Sequence, residues 1–120
     1  MKLIKVTGMY SVVKVSDFNE VNWQDPFVFV AKTDDELSLV CRTEVVPSNT
    51  IAREDNWNML KIAGELDFGM IGVIAKISTI LAEHKISVFV VSTYNTDYIL
   101  VKEENYFETI QLLQKHQFTF

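Results

Sequence analysis

Between residues 69 and 84, apolar side chains recur at three- and four-residue steps. Met70, Ile71, Val73, Ile74, Ile77, Ile80 and Leu81 share a stripe that leaves Lys76 and Glu83 outside it. That period predicts an amphipathic helix over 69–84. A second helix is predicted over 103–116, with Tyr106, Phe107, Ile110 and Leu113 on one side. Glu103, Glu104 and Glu108 near its start suit the positive end of the helix dipole. Elsewhere the pattern reads as strand. Residues 58–66 carry Met59, Leu60, Ile62 and Leu66 as candidate core, and runs at 88–92 and 98–102 flank the turn formers Asn95-Thr96-Asp97. The order β-α-β-β-α, with residues 118–120 as a last short strand, is the split βαβ, ferredoxin-like arrangement.

The same hairpin pattern occurs sixty residues earlier. Aligning 27–44 with 87–104 without gaps pairs Val28 with Val88, Phe29 with Phe89, Val30 with Val90, Thr33 with Thr93 and Glu44 with Glu104. The first copy turns through Thr33-Asp34-Asp35-Glu36. Before it, 3–6 and 10–15 read as strands around a turn at Gly8. Residues 17–24 read as a short helix, N-capped by Asp17 with Glu20 at the capping-box position and ended by Pro26. The polar stretch 47–56 reads as a linker. The prediction is an α+β chain of two ferredoxin-like units, 1–55 and 56–120, the first truncated.

Composition narrows the possible functions. The 120 residues are 48% apolar and 22% charged, normal for a folded chain. Eleven Lys and Arg against sixteen Asp and Glu give a net charge of −5, and no basic run exceeds one residue. Nucleic acids and anionic membranes are recognised through clustered Lys and Arg, so neither partner is expected. No apolar run approaches the ~20 residues that cross a bilayer, and residues 1–6 lack a secretory h-region. A single cysteine, Cys41, excludes a disulfide framework and a cysteine zinc site. A cytoplasmic protein is expected.

Few residues suggest catalysis. His84 and His116 stand at predicted helix ends, without a metal-ligand spacing. Cys41 reads as a small core residue in mid-strand. Asp67-Phe68-Gly69 matches a kinase signature by letters alone, since the glycine loop, strand lysine and catalytic loop are missing. Asp34-Asp35-Glu36 reads as a solvated turn. An enzyme using those carboxylates with a divalent cation is disfavoured, because no nucleophile–base pair can be assembled. No catalytic residue, metal or cofactor is predicted.

Binding chemistry is easier to assemble. In the junction Glu65-Leu66-Asp67-Phe68-Gly69-Met70-Ile71-Gly72, glycines bracket a helix start. The first amides of a helix have no intrahelical partner, and glycine lets a ligand approach them closely, so the junction can receive a small carboxylate. The same glycines can equally serve close helix–sheet packing. Ser92-Thr93-Tyr94-Asn95-Thr96-Asp97 tips the balance, because Asp97 can face an ammonium group. An anion receptor and a cation receptor close together are what an α-amino acid requires.

These segments also carry a family resemblance. The pattern G-x-L-D-F-x-x-x-G-V-I-A-x-I-S at residues 64–78, continuing to S-T-Y-x-T-D-Y-I-L-V at 92–101, resembles tandem ACT domains of a small bacterial group. It is also similar to the ligand-binding ACT units of aspartate kinases and of cytosolic arginine sensors. T-x-D-E-L-S-L-V-C at residues 33–41, with Pro47, resembles the first unit of the bacterial group. The resemblance covers residues 27–104 and implies regulatory amino-acid binding between ACT units. By position, it implies a site of Asp67, Phe68, Gly69, Met70, Ile71 and Gly72 with Ser92, Thr93 and Asp97, completed by Thr33, Glu36 and Ser38. A homodimer and a regulated partner enzyme are expected with it, although no catalytic domain accompanies the units here. The competing reading is a protein-interaction module without a small ligand, acting through an exposed sheet edge.

Overall fold

The structure, a computed structural model, describes residues 1–63 and 72–120. The predicted strand end 64–66, the helix start 69–71 and the site residues Asp67, Phe68, Gly69, Met70 and Ile71 lie outside the described residues. Among the described residues six strands and two helices follow in the order β1 (Leu3–Val15), β2 (Phe29–Lys32), β3 (Leu37–Arg42), β4 (Thr50–Ile62), α1 (Val73–Glu83), β5 (Phe89–Ser92), β6 (Asp97–Lys102) and α2 (Tyr106–Lys115). The described chain forms two compact units, one of Gly8–Trp57 and one of Met1–Thr7 with Asn58–Phe120. The fold is α+β, with antiparallel pairing in both hairpins.

In the Asn58–Phe120 unit the strand order is β4-β6-β5, with β5 antiparallel to β6. Its core gathers Leu60 and Ile62 of β4, Ile77, Ile80 and Leu81 of α1, Ile99 and Val101 of β6, and Leu112 and Leu113 of α2. Both helices end alike. His84 and His116 are the C-caps, Lys85 and Gln117 follow at φ 59° and 73°, and Ile86 and Phe118 are buried beyond them. The amide of Ile86 donates to the Leu81 carbonyl at 2.9 Å, and that of Phe118 to Leu113 at 3.0 Å, which is a Schellman closure in each case. Each histidine Nδ1 lies within 3.1 Å of the carbonyl four residues back. The histidines therefore finish helices, as their positions in the sequence suggest.

Leu3 explains why Met1–Thr7 joins this unit. Its side chain is fully buried in the same core, its amide donates to the Thr119 carbonyl at 2.7 Å, and the Ala63 amide donates to Lys2 at 3.0 Å. The strand predicted over 118–120 is reduced to one parallel bridge, Lys2 with Thr119.

The Gly8–Trp57 unit has strand order β2-β3-β1 and a smaller core of Val13, Val15, Val21, Leu39 and Cys41. Three expectations are corrected here. The turn at Gly8 does not form, because β1 runs continuously from Leu3 to Val15 and Gly8 supplies a φ of 102° inside it. An added Cβ would meet Arg42 only at 3.7 Å, so the backbone angle rather than crowding calls for glycine. Residues 17–24 form turns instead of a helix. The Asp17 carboxylate accepts the Asn19 amide at 2.9 Å, and the Asn22 side chain accepts the Gln24 amide at 3.1 Å, so side chains satisfy donors locally. Residues 50–56 are strand, not linker. Residues 51–54 are exposed, and the polar Arg53 and Glu54 belong to a solvent-facing stretch of β4.

Candidate functional site

The two hairpins repeat in detail at the sixty-residue offset. Phe29 pairs with Val40 and Lys32 with Leu37; Phe89 pairs with Leu100 and Ser92 with Asp97. A 3₁₀ turn follows each hairpin, Thr43–Val45 and Glu103–Asn105. Both connecting turns close in one way. The Thr33 amide donates to Glu36 at 3.0 Å and that of Thr93 to Thr96 at 2.9 Å, each reinforced by the threonine hydroxyl.

The side chains at matched positions differ, and the difference is chemical. Ser92 and Asp97 close the second turn where Lys32 and Leu37 close the first. Asp97 is half-buried, and among the described residues its carboxylate has neither a hydrogen bond nor an ion pair. Thr96 is only 3% exposed and donates through Oγ1 to the Ile62 carbonyl at 3.2 Å. Ile62 is the last residue of β4, the strand whose chain continues toward α1. One sheet end therefore holds the polar turn and the strand exit that leads to the helix.

In α1, described from Val73, the structure places Gly72 at the N-cap with φ 83°. The Gly72 carbonyl accepts the first intrahelical bond from the Lys76 amide at 2.8 Å. Among the described residues no side chain caps this helix start. The first amides of a helix have no intrahelical partner and take an acceptor from outside it. Lys76 lies beside them, its Nζ 5.3 Å from the centre of the Phe118 ring.

Thr33, Glu36 and Ser38 lie in the Gly8–Trp57 unit, and Gly72, Ser92, Thr93 and Asp97 in the other. Thr33 and Glu36 are exposed, and Ser38 donates to the Glu36 carboxylate, so these side chains satisfy one another locally. Asp34 and Asp35 are exposed too, and among the described residues no three His, Cys, Asp or Glu side chains gather as a metal site. Cys41 is buried, and burial pushes its thiol up to about 11, which keeps it protonated and unreactive at neutral pH.

Sequence reasoning passed over Thr96 as a site residue, and two polar clusters of the Gly8–Trp57 unit. Ser11 is fully buried in β1 and donates to Asp55 at 2.6 Å, so the Thr43 hydroxyl, 2.9 Å away, donates to Ser11. Arg53 Nε holds the same carboxylate at 3.1 Å. In the second cluster the Asp25 side chain, 2% exposed, accepts from Nε and an outer nitrogen of Arg42, tying the 17–26 loop to β3. Only an Asp just before a proline and an Arg at a strand end hint at that pair in the sequence.

The Arg42 guanidinium, through its hydrogen bonds, holds the Asp25 carboxyl below the usual carboxylate range against the opposing effect of burial. A lowered carboxylate pKa stabilises the fold above the unfolded value near ~3.9 and loses that contribution as pH falls through the folded value. Asp25→Asn is therefore expected to lower the melting temperature by several degrees at pH 7. The gap to wild type should close as pH drops below about 4. Thermal melts at pH 7 and pH 3 check this, and equal melting temperatures at pH 7 would refute it.

Known proteins align with both units. The ACT domain family model matches residues 52–115, and a model described as an N-terminal domain matches residues 8–49. The mouse cytosolic arginine sensor for mTORC1 subunit 1 is 31% identical over 99 residues, covering 77% of this chain and 30% of that protein. Its human counterpart is 39% identical over 62 residues, covering 51% of this chain and 19% of that protein. The chain thus spans about a fifth to a third of the length of these curated relatives. A structural-genomics protein from Agobacterium tumefaciens superposes with a TM-score of 0.86 at 30% identity, covering 98% of this chain and 90% of that one. The aspartate kinase of Clostridium acetobutylicum shares the fold alone, with a TM-score of 0.61 at 12% identity over 90% of this chain and 32% of that one. With one family model spanning more than half of its residues, the chain belongs to the ACT-domain family.

Proposed function

We propose that the chain is a regulatory, non-catalytic module that binds a free α-amino acid through its C-terminal ACT unit. The ligand carboxylate meets the backbone amides at the Asp67–Gly72 junction and the start of α1. The Asp97 carboxylate takes the α-ammonium, with the Ser92 and Thr93 hydroxyls beside it. One observation carries this reading: an unpaired, half-buried Asp97 in a turn that Thr96 ties to the β4 exit. The cytosolic arginine sensors among its relatives favour an amino acid as the ligand and regulation as the outcome.

In this reading the chain is a duplication of one ACT unit, divided near residue 55, with the first copy truncated. The matched hairpin registers support it, and so does the turn structure at 17–24 where the second copy has α1. The first copy lacks the helix start, and Leu37 stands at the position matched to Asp97. Thr33, Glu36 and Ser38 then contribute polar contacts at most, and the chain binds one ligand.

A melting-temperature screen against the twenty amino acids, followed by calorimetry, tests the proposal. A ligand at about a hundred times its Kd adds about 2.7 kcal/mol of stability, which a melt detects readily. At least one amino acid should raise the melting temperature, with one ligand per chain. Folded protein that ignores all twenty at millimolar concentration would refute the proposal and favour the interaction module. The edge strand β2, where Val30 is exposed, offers that alternative a docking edge. Co-purification of one partner protein, indifferent to added amino acids, would establish it.

A further inference from the structure

We infer that Thr96 is a positioning residue for the amino-acid site, acting through the side-chain bond that fixes the β5–β6 turn to the end of β4. The inference rests on the functional reading above. Its starting point is a comparison of the two turns within this one chain. The turn at Thr33 closes with the same backbone bond as the turn at Thr93, and with the same hydroxyl assisting it. Glu36 stands at the matched position, exposed, with its carboxylate taken by Ser38. A hairpin turn of this geometry therefore closes without any hydroxyl directed into the sheet.

The Thr96 hydroxyl does something the turn itself does not need. It is buried and spans 34 residues of sequence to the Ile62 carbonyl, at the last position of β4. A buried carbonyl at a strand end must find a donor, and Thr96 supplies one. The next residue is Asp97, whose backbone opens β6 and pairs with Ser92. The tether thus sits one residue from the carboxylate that would hold the ligand's ammonium group. It fixes the height of that carboxylate relative to the β4 exit. Ligand recognition at two points requires a fixed separation between the two receptors, and small misplacements weaken both contacts.

Two substitutions separate the hydroxyl from the packing. Thr96→Val keeps the shape and removes the donor, whereas Thr96→Ser keeps the donor and trims a methyl. Hydrogen exchange gives a readout that needs no ligand. In Thr96→Val the Thr93 amide should exchange about five- to tenfold faster, as expected for losing one buried hydrogen bond. The matched Thr33 amide should stay unchanged, and Thr96→Ser should restore the wild-type rate. Calorimetric titration with each of the twenty amino acids gives the second readout. Affinity for the best binder should fall about five- to tenfold in Thr96→Val and return in Thr96→Ser. An unchanged Thr93 exchange rate would overturn the tether. Faster exchange with unchanged affinity would overturn the positioning role. If wild type binds no amino acid while exchange behaves as expected, the amino-acid reading itself fails. Thr96 is then a structural tether only, and its positioning role falls too.

Discussion

Asp97→Ala is expected to erase the stabilisation conferred by the bound amino acid while leaving the ligand-free melting temperature within about 3 °C of wild type. Asp97 has no partner among the described residues, so its removal breaks no ion pair and orphans no donor there. Aspartate is also a poor strand former, and alanine at the first residue of β6 costs the hairpin little. The loss falls on the ligand. A hydrogen bond to a charged group contributes about 1.5–3 kcal/mol, so the affinity should drop about ten- to a hundredfold. At ten times the wild-type Kd, stabilisation of about 1.4 kcal/mol would shrink to about 0.1 kcal/mol at the upper end of that range. Asp97→Asn separates charge from shape, because the amide keeps one acceptor and loses the negative charge. It should bind nearly as weakly as the alanine variant. Full affinity in either variant would remove Asp97 from the site, whichever amino acid is bound.

The hairpins were legible in the sequence because their signal is local. β-Branched and aromatic runs around turn formers fix both strands and register, and the sixty-residue alignment holds down to the pairs Val30 with Leu39 and Val90 with Ile99. The helix ends were legible for the same reason, since His84 and His116 sit where the apolar stripes stop. Signals with two physical meanings misled. A lone glycine marks either a turn or a positive-φ residue inside a strand, and Gly8 is the second. Polar residues in a run mark either a linker or the wet face of a strand, and Arg53 and Glu54 are the second. Asp17 suits a helix cap and an Asx turn equally, and with so few residues before Pro26 the turn prevails. In the candidate site the carboxylate of Asp97 could be read from its place in a turn. The tether from Thr96 to Ile62 could not, because it joins residues far apart in the chain and nothing local specifies it.

Leu113→Ala is expected to lower stability by about 3 kcal/mol and the melting temperature by about 10–15 °C, whereas Phe107→Ala should change stability by less than about 0.5 kcal/mol. The contrast tests which face of α2 is buried, a point on which the period alone misjudged the helix. Tyr106, Phe107, Ile110 and Leu113 were expected to share one side, yet Phe107 is 75% exposed and the buried positions are Thr109, Leu112 and Leu113. The reason is angular. Each residue advances the helix by ~100°, and a face centred on Thr109 and Leu113 takes in Tyr106 and Ile110 but turns Phe107 outward. Leu113 is fully buried in one core cluster with Leu3 of β1, Ile62 of β4, Val101 of β6, and Ile77 and Leu81 of α1. Truncating it leaves a cavity that so many separate elements cannot close together. Alanine is the best helix former, so the loss cannot come from α2 itself. Thermal and urea unfolding of the two variants measure both effects. A Phe107→Ala variant as unstable as Leu113→Ala would mean that α2 packs through the other face, and the core described for this unit would be wrong.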